Sequence, residues 1–301
     1  MKKLLLILAT AAISYGSFAA GTRTERLLAE MKNPKSKYVF VAAHRGDWRN
    51  WPENSLEAVQ SAIDMGVDIV EIDVAMTRDS VLIVMHDRRV NRTTKAKGLV
   101  SDFDYAELSK YRLKSGHGVT TAYKIPTLEE MLLLCKDKAI VNIDSNGWPY
   151  FDRIYELLER TGTLEQVIIK CGADVDRARK VIKGRKVMFM PIICPNSERS
   201  VATLKRYLAE YPCIAYEVCM YKTVGQSETD CIRDIIAHGS HVWTDTLWDS
   251  VSGGYSDDAA VKDPDKIYGK HLELGATMIQ TDRPATLISY LKSKGRRKLK
   301  K

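Results

Sequence analysis

Residues 69–86 read Ile69-Val70-Glu71-Ile72-Asp73-Val74-Ala75-Met76-Thr77-Arg78-Asp79-Ser80-Val81-Leu82-Ile83-Val84-Met85-His86. Two apolar, β-branched runs flank the polar link Thr77-Arg78-Asp79-Ser80. A parallel crossover needs about a dozen residues or more, so strands joined by so short a link form an antiparallel hairpin. The hairpin extends the second strand and returns His86 beside Glu71 and Asp73. The stretch from Ala75 to about Lys124 then reads as an insertion, with polar Asn91–Gly98 and a short helix near Tyr105–Tyr111. Thr127-Leu128-Glu129-Glu130 opens the helix leading to the third barrel strand.

Outward from this hairpin, short apolar strands alternate with helix-period stretches. The predicted strands are Tyr38–Ala43, Ile69–Val74, Ala139–Asp144, Val167–Cys171, Val187–Ile193, Ile214–Cys219, His241–Asp245 and Met278–Asp282. Predicted helices follow most of them: Ser55–Met65, Tyr150–Thr161, Val175–Lys183, Val201–Tyr211, Thr229–His238 and Pro284–Lys294. Eight β–α units in one chain of 301 residues read as an α/β fold, a TIM (β/α)8 barrel with an insertion after strand two. The domain reading is 1–19 signal peptide, 20–37 lead-in, 38–291 barrel with 75–124 inserted, and 292–301 basic tail.

Composition is that of a globular protein, 45% hydrophobic and 28% charged, which excludes a disordered or collagen-like chain. The formal charge of +8 is misleading. Lys2, Lys3, Lys292, Lys294, Arg296, Arg297, Lys298, Lys300 and Lys301 sit in the two end segments, so the body is close to neutral. A nucleic-acid partner loses its electrostatic basis. The basic tail reads as a solvated end, with weak contact to an anionic membrane surface as the alternative.

Met1-Lys2-Lys3, the apolar run Leu4–Ile13 and Ser17-Phe18-Ala19 match a cleaved bacterial signal peptide. The expected location is outside the cytoplasm, in the periplasm or secreted. Six cysteines without a CxxC pair argue against zinc and against a disulfide framework. Isolated buried thiols are the expectation, with one pair among Cys194, Cys213, Cys219 and Cys231 left open.

Catalysis in a barrel sits at the strand C-termini. Those ends carry His44-Arg45-Gly46, Glu71-x-Asp73, Asp144, Lys170 and Trp243. Glu71 and Asp73 lie two apart on one strand and face the same way. Inward carboxylates repel unless a cation joins them, and hard divalent ions take several oxygen ligands. One Ca2+ or Mg2+ held by Glu71, Asp73 and Asp144 is the expectation. His44 and His86 suit acid–base work near neutrality. Arg45 offers a fork for a phosphoryl oxygen, and Lys170 adds a second cation. Trp48 and Trp51, between His44 and Pro52, could sit at an interface or line the pocket. Trp243 and Trp248 read as its apolar wall or equally as core.

Ala43-His44-Arg45-Gly46, Pro52-Glu53-Asn54-Ser55, Glu71-Ile72-Asp73-Val74, Thr77-Arg78-Asp79 and His86-Asp87 follow in order. Arg92-Thr93-Thr94, Gly98-x-Val100-x-Asp102, Ile125-Pro126-Thr127-Leu128 and Thr281-Asp282-Arg283-Pro284 continue the series. This set resembles the glycerophosphodiester phosphodiesterase family, from about Val39 to Pro284. The resemblance implies hydrolysis of a small-molecule glycerophosphodiester to glycerol 3-phosphate and an alcohol. It implies His44 and His86 as the acid–base pair and Arg45 as a phosphate contact. It implies Glu71 and Asp73 as metal ligands, with Asp144 where the family usually has Glu. Asn54 falls in a motif at the rim, near His44 or the substrate, and Glu53 in the same motif fixes the loop. The family usually has a Lys just after the third acid; this chain has Asp144-Ser145-Asn146, and Lys170 is the basic residue that can stand in. Two alternatives remain: a phospholipase-type enzyme on intact lipids, and a phosphodiester-binding barrel impaired in catalysis. Head group, choice of metal and oligomeric state are open at this stage.

Overall fold

The computed structural model describes residues 21–299, apart from the Ser145 side chain. The segment read as a signal peptide, 1–19, lies outside the described residues. No helix among the described residues is long and apolar enough to cross a membrane.

Twelve strands form in chain order among the described residues. They are β1 (Phe40–His44), β2 (Ile69–Ile72), β3 (Val74–Met76), β4 (Leu82–Val84), β5 (Arg112–Lys114), β6 (Thr120–Lys124), β7 (Ile140–Ile143), β8 (Val167–Cys171), β9 (Met188–Ile193), β10 (Ala215–Val218), β11 (His241–Asp245) and β12 (Met278–Thr281). Eight of them close a parallel barrel in the order β1-β12-β11-β10-β9-β8-β7-β2. Each coincides with a strand read from the sequence to within two residues. β3 and β4 pair antiparallel, Val74 opposite Val84 and Met76 opposite Leu82, so the hairpin inferred from the short link is present.

Strand parity sorts the interior into layers. Phe40, Ile69, Ile140, Ile168, Trp243 and Met278 form an apolar floor inside the barrel. Further along, residues of the same parity are polar and buried: His44, Glu71, Lys170, Glu217, Asp245 and Gln280. The outward parity packs against the helices in the larger core. The insertion has a small core of its own, built on Ile83, Val90, Leu108 and Ile125.

The helices are α1 (Arg23–Met31), α2 (Leu56–Met65), α3 (Tyr105–Leu108), α4 (Leu128–Cys135), α5 (Phe151–Thr161), α6 (Val175–Ile182), α7 (Glu198–Glu210), α8 (Gln226–His238), α9 (Asp249–Ser252), α10 (Asp257–Ala260), α11 (Pro264–Leu274) and α12 (Pro284–Ser293). α4 opens with a capping box: Glu130 N–H donates to Thr127 Oγ1 at 3.1 Å and Thr127 N–H to Glu130 Oε2 at 2.9 Å. All six cysteines are free thiols.

The lead-in contains helix α1, and part of the tail read as solvated is held against the barrel. Leu27 and Met31 of α1 pack onto the apolar floor and plug the barrel from below. Arg297, read as part of a solvated tail, is held at Asp68, a residue with no exposed surface. Its guanidinium also donates to Gly66 O at 2.7 Å and Val39 O at 3.0 Å. Arg23 joins Asp68 from the other side at 3.0 Å, and Asp68 accepts Tyr38 OH at 2.7 Å and Val41 N–H at 2.9 Å. A buried carboxylate with two guanidinium partners explains why this part of the tail folds back. Asp68→Ala would leave those donors unmatched. It is expected to cost about 3–5 kcal/mol, measured by urea unfolding.

Candidate active site

The turn after β1 is built for close approach. Arg45 and Gly46 both take left-handed backbone, φ 53° and 76°. A Cβ on Gly46 would meet the Ala58 carbonyl carbon at 2.7 Å, so only glycine fits there. Asn54 is also left-handed, φ 60°, and its N–H donates to Arg45 O at 3.1 Å. Such strain in non-glycine residues persists where surrounding bonds over-determine it.

Three carboxylates, Glu71, Asp73 and Asp144, place oxygens within 4.8 Å of one another. Glu71 and Asp73 are buried. Glu71 Oε2 accepts Arg45 N–H at 3.0 Å, while its buried Oε1 has no hydrogen-bond partner. Burial first, then the charges of Asp73 and Asp144, push the Glu71 carboxyl well above its ordinary range. An orphaned buried oxygen among three hard donors is the environment of a divalent cation, so the residues fit the expected metal.

Both histidines stand at this mouth, each on a carboxylate. His44 Nδ1 lies 2.8 Å from Asp282 Oδ1, with both side chains buried. His86 Nδ1 lies 2.7 Å from Asp87 Oδ1 on the exposed side. Arg45 pairs with Asp73 at 3.2 Å and with Glu53 at 3.0 Å. Glu53 also accepts from Arg92 at 2.8 Å, and Arg92 donates to Asp87 at 2.8 Å. Glu53 therefore bridges Arg45 of the barrel to Arg92 of the insertion.

The three expected substrate contacts, Asn54, Trp243 and Lys170, are buried, each with protein partners. Asn54 is buried and gives both amide groups to Asp73, donating to Oδ2 at 2.9 Å and accepting its N–H at 3.3 Å; it orients a carboxylate of the triad. Trp243 is fully buried in the floor, its Nε1–H donating to Asp245 at 3.1 Å. Its position on β11 puts it one inward layer below the mouth, a depth that sequence parity alone does not give. Lys170 is buried beside the triad, 3.0 Å from Glu217 and 3.6 Å from Asp144. Burial alone would lower its pKa; Asp144, Glu217 and Glu71 outweigh burial and raise it. It is a counter-charge to the carboxylates.

The cavity above His44 holds about 640 Å3 and is lined by His44, Arg45, Trp48, Arg92, Lys114, Trp248 and Asp282 among others. A groove of about 820 Å3 lies outside the barrel along Trp148–Arg153 and Asp176–Lys183. It is larger but is lined by neither histidine nor Arg45, whereas His44, Arg45 and Asp282 line the first, so chemistry selects the first. Glu217, Asp245, Gln280 and Asp282 are site residues that the sequence reading gave no role. Their signal was available: each is a polar residue at inward parity on an apolar strand or at its end.

The departure at Asn146 is knitted into the site. Its Nδ2 donates to Asp73 Oδ1 at 3.2 Å and to His86 O at 3.4 Å, while Oδ1 accepts Val74 N–H at 3.0 Å. It ties a triad acid to the returning hairpin.

Residues 44–189 match the Glycerophosphoryl diester phosphodiesterase family. Residues 189–291 match a family described only as a domain of unknown function; the division falls inside β9, so both matches describe parts of one closed barrel. A glycerophosphodiester phosphodiesterase of Caldanaerobacter subterraneus subsp. tengcongensis is 43% identical over 108 residues, 35% of this chain and 44% of the relative. The match thus spans less than half of that relative's length. A glycerophosphoryl diester phosphodiesterase from Parabacteroides distasonis superposes with TM-score 0.76 at 23% identity, covering 90% of this chain and 92% of that one. An Oleispira antarctica phosphodiesterase in complex with the product sn-glycerol-3-phosphate superposes with TM-score 0.67 at 20% identity, covering 86% and 99%. At these identities the two structures establish the barrel fold. Over residues 44–189 the chain is thus similar to the glycerophosphoryl diester phosphodiesterase family and to the named relative.

Proposed function

We propose that this protein hydrolyses glycerophosphodiesters to glycerol 3-phosphate and an alcohol, with one Ca2+ or Mg2+ held by Glu71, Asp73 and Asp144. One observation carries the reading: two histidines, each on a carboxylate, flank a triad in which buried Glu71 Oε1 has no partner. The relative's activity and the product held by the Oleispira antarctica structure support it. The reading of residues 1–19 as an export signal makes the periplasm or the medium the proposed location.

When bound, the cation supplies a Lewis acid for a phosphoryl oxygen. Arg45 lines the same cavity and offers positive charge to the phosphate as its own charge develops. One imidazole takes a proton from the nucleophile, and the other gives one to the departing alcohol oxygen. Glu53, Arg92 and Asp87 hold His86 in register with Arg45.

The test is turnover of glycerophosphocholine, glycerophosphoethanolamine and glycerophosphoglycerol with Ca2+, Mg2+ or EDTA, beside a His44→Ala control. Cation-dependent release of glycerol 3-phosphate, lost in the control, is the expected result. Release from lipid vesicles alone would replace this reading with the phospholipase one. Tight substrate binding without turnover in any metal would favour the impaired barrel.

A further inference from the structure

We propose that Asp282 is the positioning residue for His44, selecting which imidazole nitrogen meets the substrate. The proposal deepens the hydrolase reading and rests on it for its kinetic part.

β1 and β12 pair directly, Ala43 opposite Thr281. The next residues on each strand, His44 and Asp282, therefore emerge side by side at the mouth. Asp282 Oδ1 lies 2.8 Å from His44 Nδ1 and accepts Trp48 Nε1–H at 2.6 Å. An ionised carboxylate only accepts. His44 Nδ1 must then carry the proton, which leaves Nε2 as the nitrogen free for the cavity that His44 lines.

The backbone that carries this carboxylate is itself held. Asp282 N–H donates to Asp257 Oδ2 at 2.7 Å, and Arg49 Nε–H to Asp282 O at 3.1 Å. Asp257 has no exposed surface and gathers Thr246, Tyr268 and Thr281 hydroxyls at 2.7–2.9 Å. Behind the imidazole stands a buried, donor-saturated support, the arrangement that locks a rotamer and a tautomer.

The other histidine shows the contrast. Asp87 beneath His86 is gripped by Arg92 from two nitrogens, at 2.8 and 3.0 Å. Among the described residues, the ion pair recorded for Asp282 is the one with His44. The Asp282 charge is therefore available to His44 when that ring becomes cationic during proton transfer. The Asp87 charge is already shared with a guanidinium.

The test has two readouts. The first is 15N-edited imidazole NMR of the full mature chain, with the His44 signal assigned by its loss in His44→Ala. The wild-type protein is expected to show His44 as the Nδ1–H tautomer, and Asp282→Ala to lose that preference. Asp282→Asn retains an oxygen that can accept both N–H groups and is expected to keep the tautomer. The second is steady-state kinetics on the best glycerophosphodiester. Asp282→Ala is expected to lower kcat about 10²-fold with KM within about threefold, and Asp282→Asn to recover part of the loss. An unchanged His44 tautomer in Asp282→Ala would overturn the proposal. So would kcat and KM changing together in both variants with a lowered Tm, the mark of a structural role. The NMR result stands without any substrate. A tautomer change in a protein that turns over no diester would uphold the positioning role and sink the hydrolase reading alone.

Discussion

Glu71→Gln is expected to abolish divalent-cation binding and to lower turnover about 10³-fold, the factor that several kcal/mol of lost charge stabilisation gives. Glutamine keeps the shape and can still accept Arg45 N–H, the bond now 3.0 Å long. It removes the charge from a carboxylate whose buried Oε1 has no hydrogen-bond partner. The same variant carries a sign test. Burial and the charges of Asp73 and Asp144 raise the Glu71 carboxyl well above the usual range. The metal-free protein therefore has this group's full contribution below the ordinary carboxylate range and loses it as pH rises through the raised value. Cation binding must displace that proton. Calorimetry in buffers of different ionisation heat is expected to show proton release in the wild type. A Tm rise on adding Ca2+ or Mg2+ is expected to be largest at alkaline pH, and both effects to vanish in Glu71→Gln.

Arg45→Ala is expected to lower kcat/KM about 10³-fold, at the upper end of the loss of one preorganised donor to a developing charge. Arg45 touches all three parts of the site: its N–H reaches Glu71, and its guanidinium reaches Asp73 at 3.2 Å and Glu53 at 3.0 Å. Arg45→Lys restores the charge but not the planar fork and is expected to recover about tenfold or less. Cation affinity should survive in the lysine variant, since the triad is intact. A lysine variant with wild-type kcat/KM would remove Arg45 from the phosphate.

The barrel was legible because its strands are short β-branched runs buried on both faces, a pattern that needs no tertiary information. The hairpin was legible because Thr77–Ser80 is too short for any other connection. α1 was not. Its buried face is little more than Leu27 and Met31, and only the finished barrel floor gives those side chains a partner. The β5–β6 hairpin was also missed: on β5 only Leu113 is buried, so there is no alternation to read. At the site, His44, Arg45, Glu71, Asp73 and Asp144 come together as expected because strand ends in a barrel share one mouth. Depth was the missing coordinate. Trp243 and Asp245 share parity on β11, yet one belongs to the floor and the other to the polar layer above it. Which inward layer a residue occupies depends on the stagger between strands, a property of the closed sheet.

The pairing of β1 with β12 has a temporal meaning. His44 and Asp282 meet across 238 residues of chain, and Asp68 and Arg297 across 229. One contact rivets the mouth and the other the floor of the same junction, between the first and last barrel strands. Contacts so distant in sequence incur the loop-closure entropy of nearly the whole chain before they return any stabilisation. A nascent chain ending at residue 189 would already hold both histidines and every triad acid. It would lack the carboxylate that orients one of them. Competence thus arrives with the final stitch of folding, so a partly made barrel carries the reactive groups without their alignment.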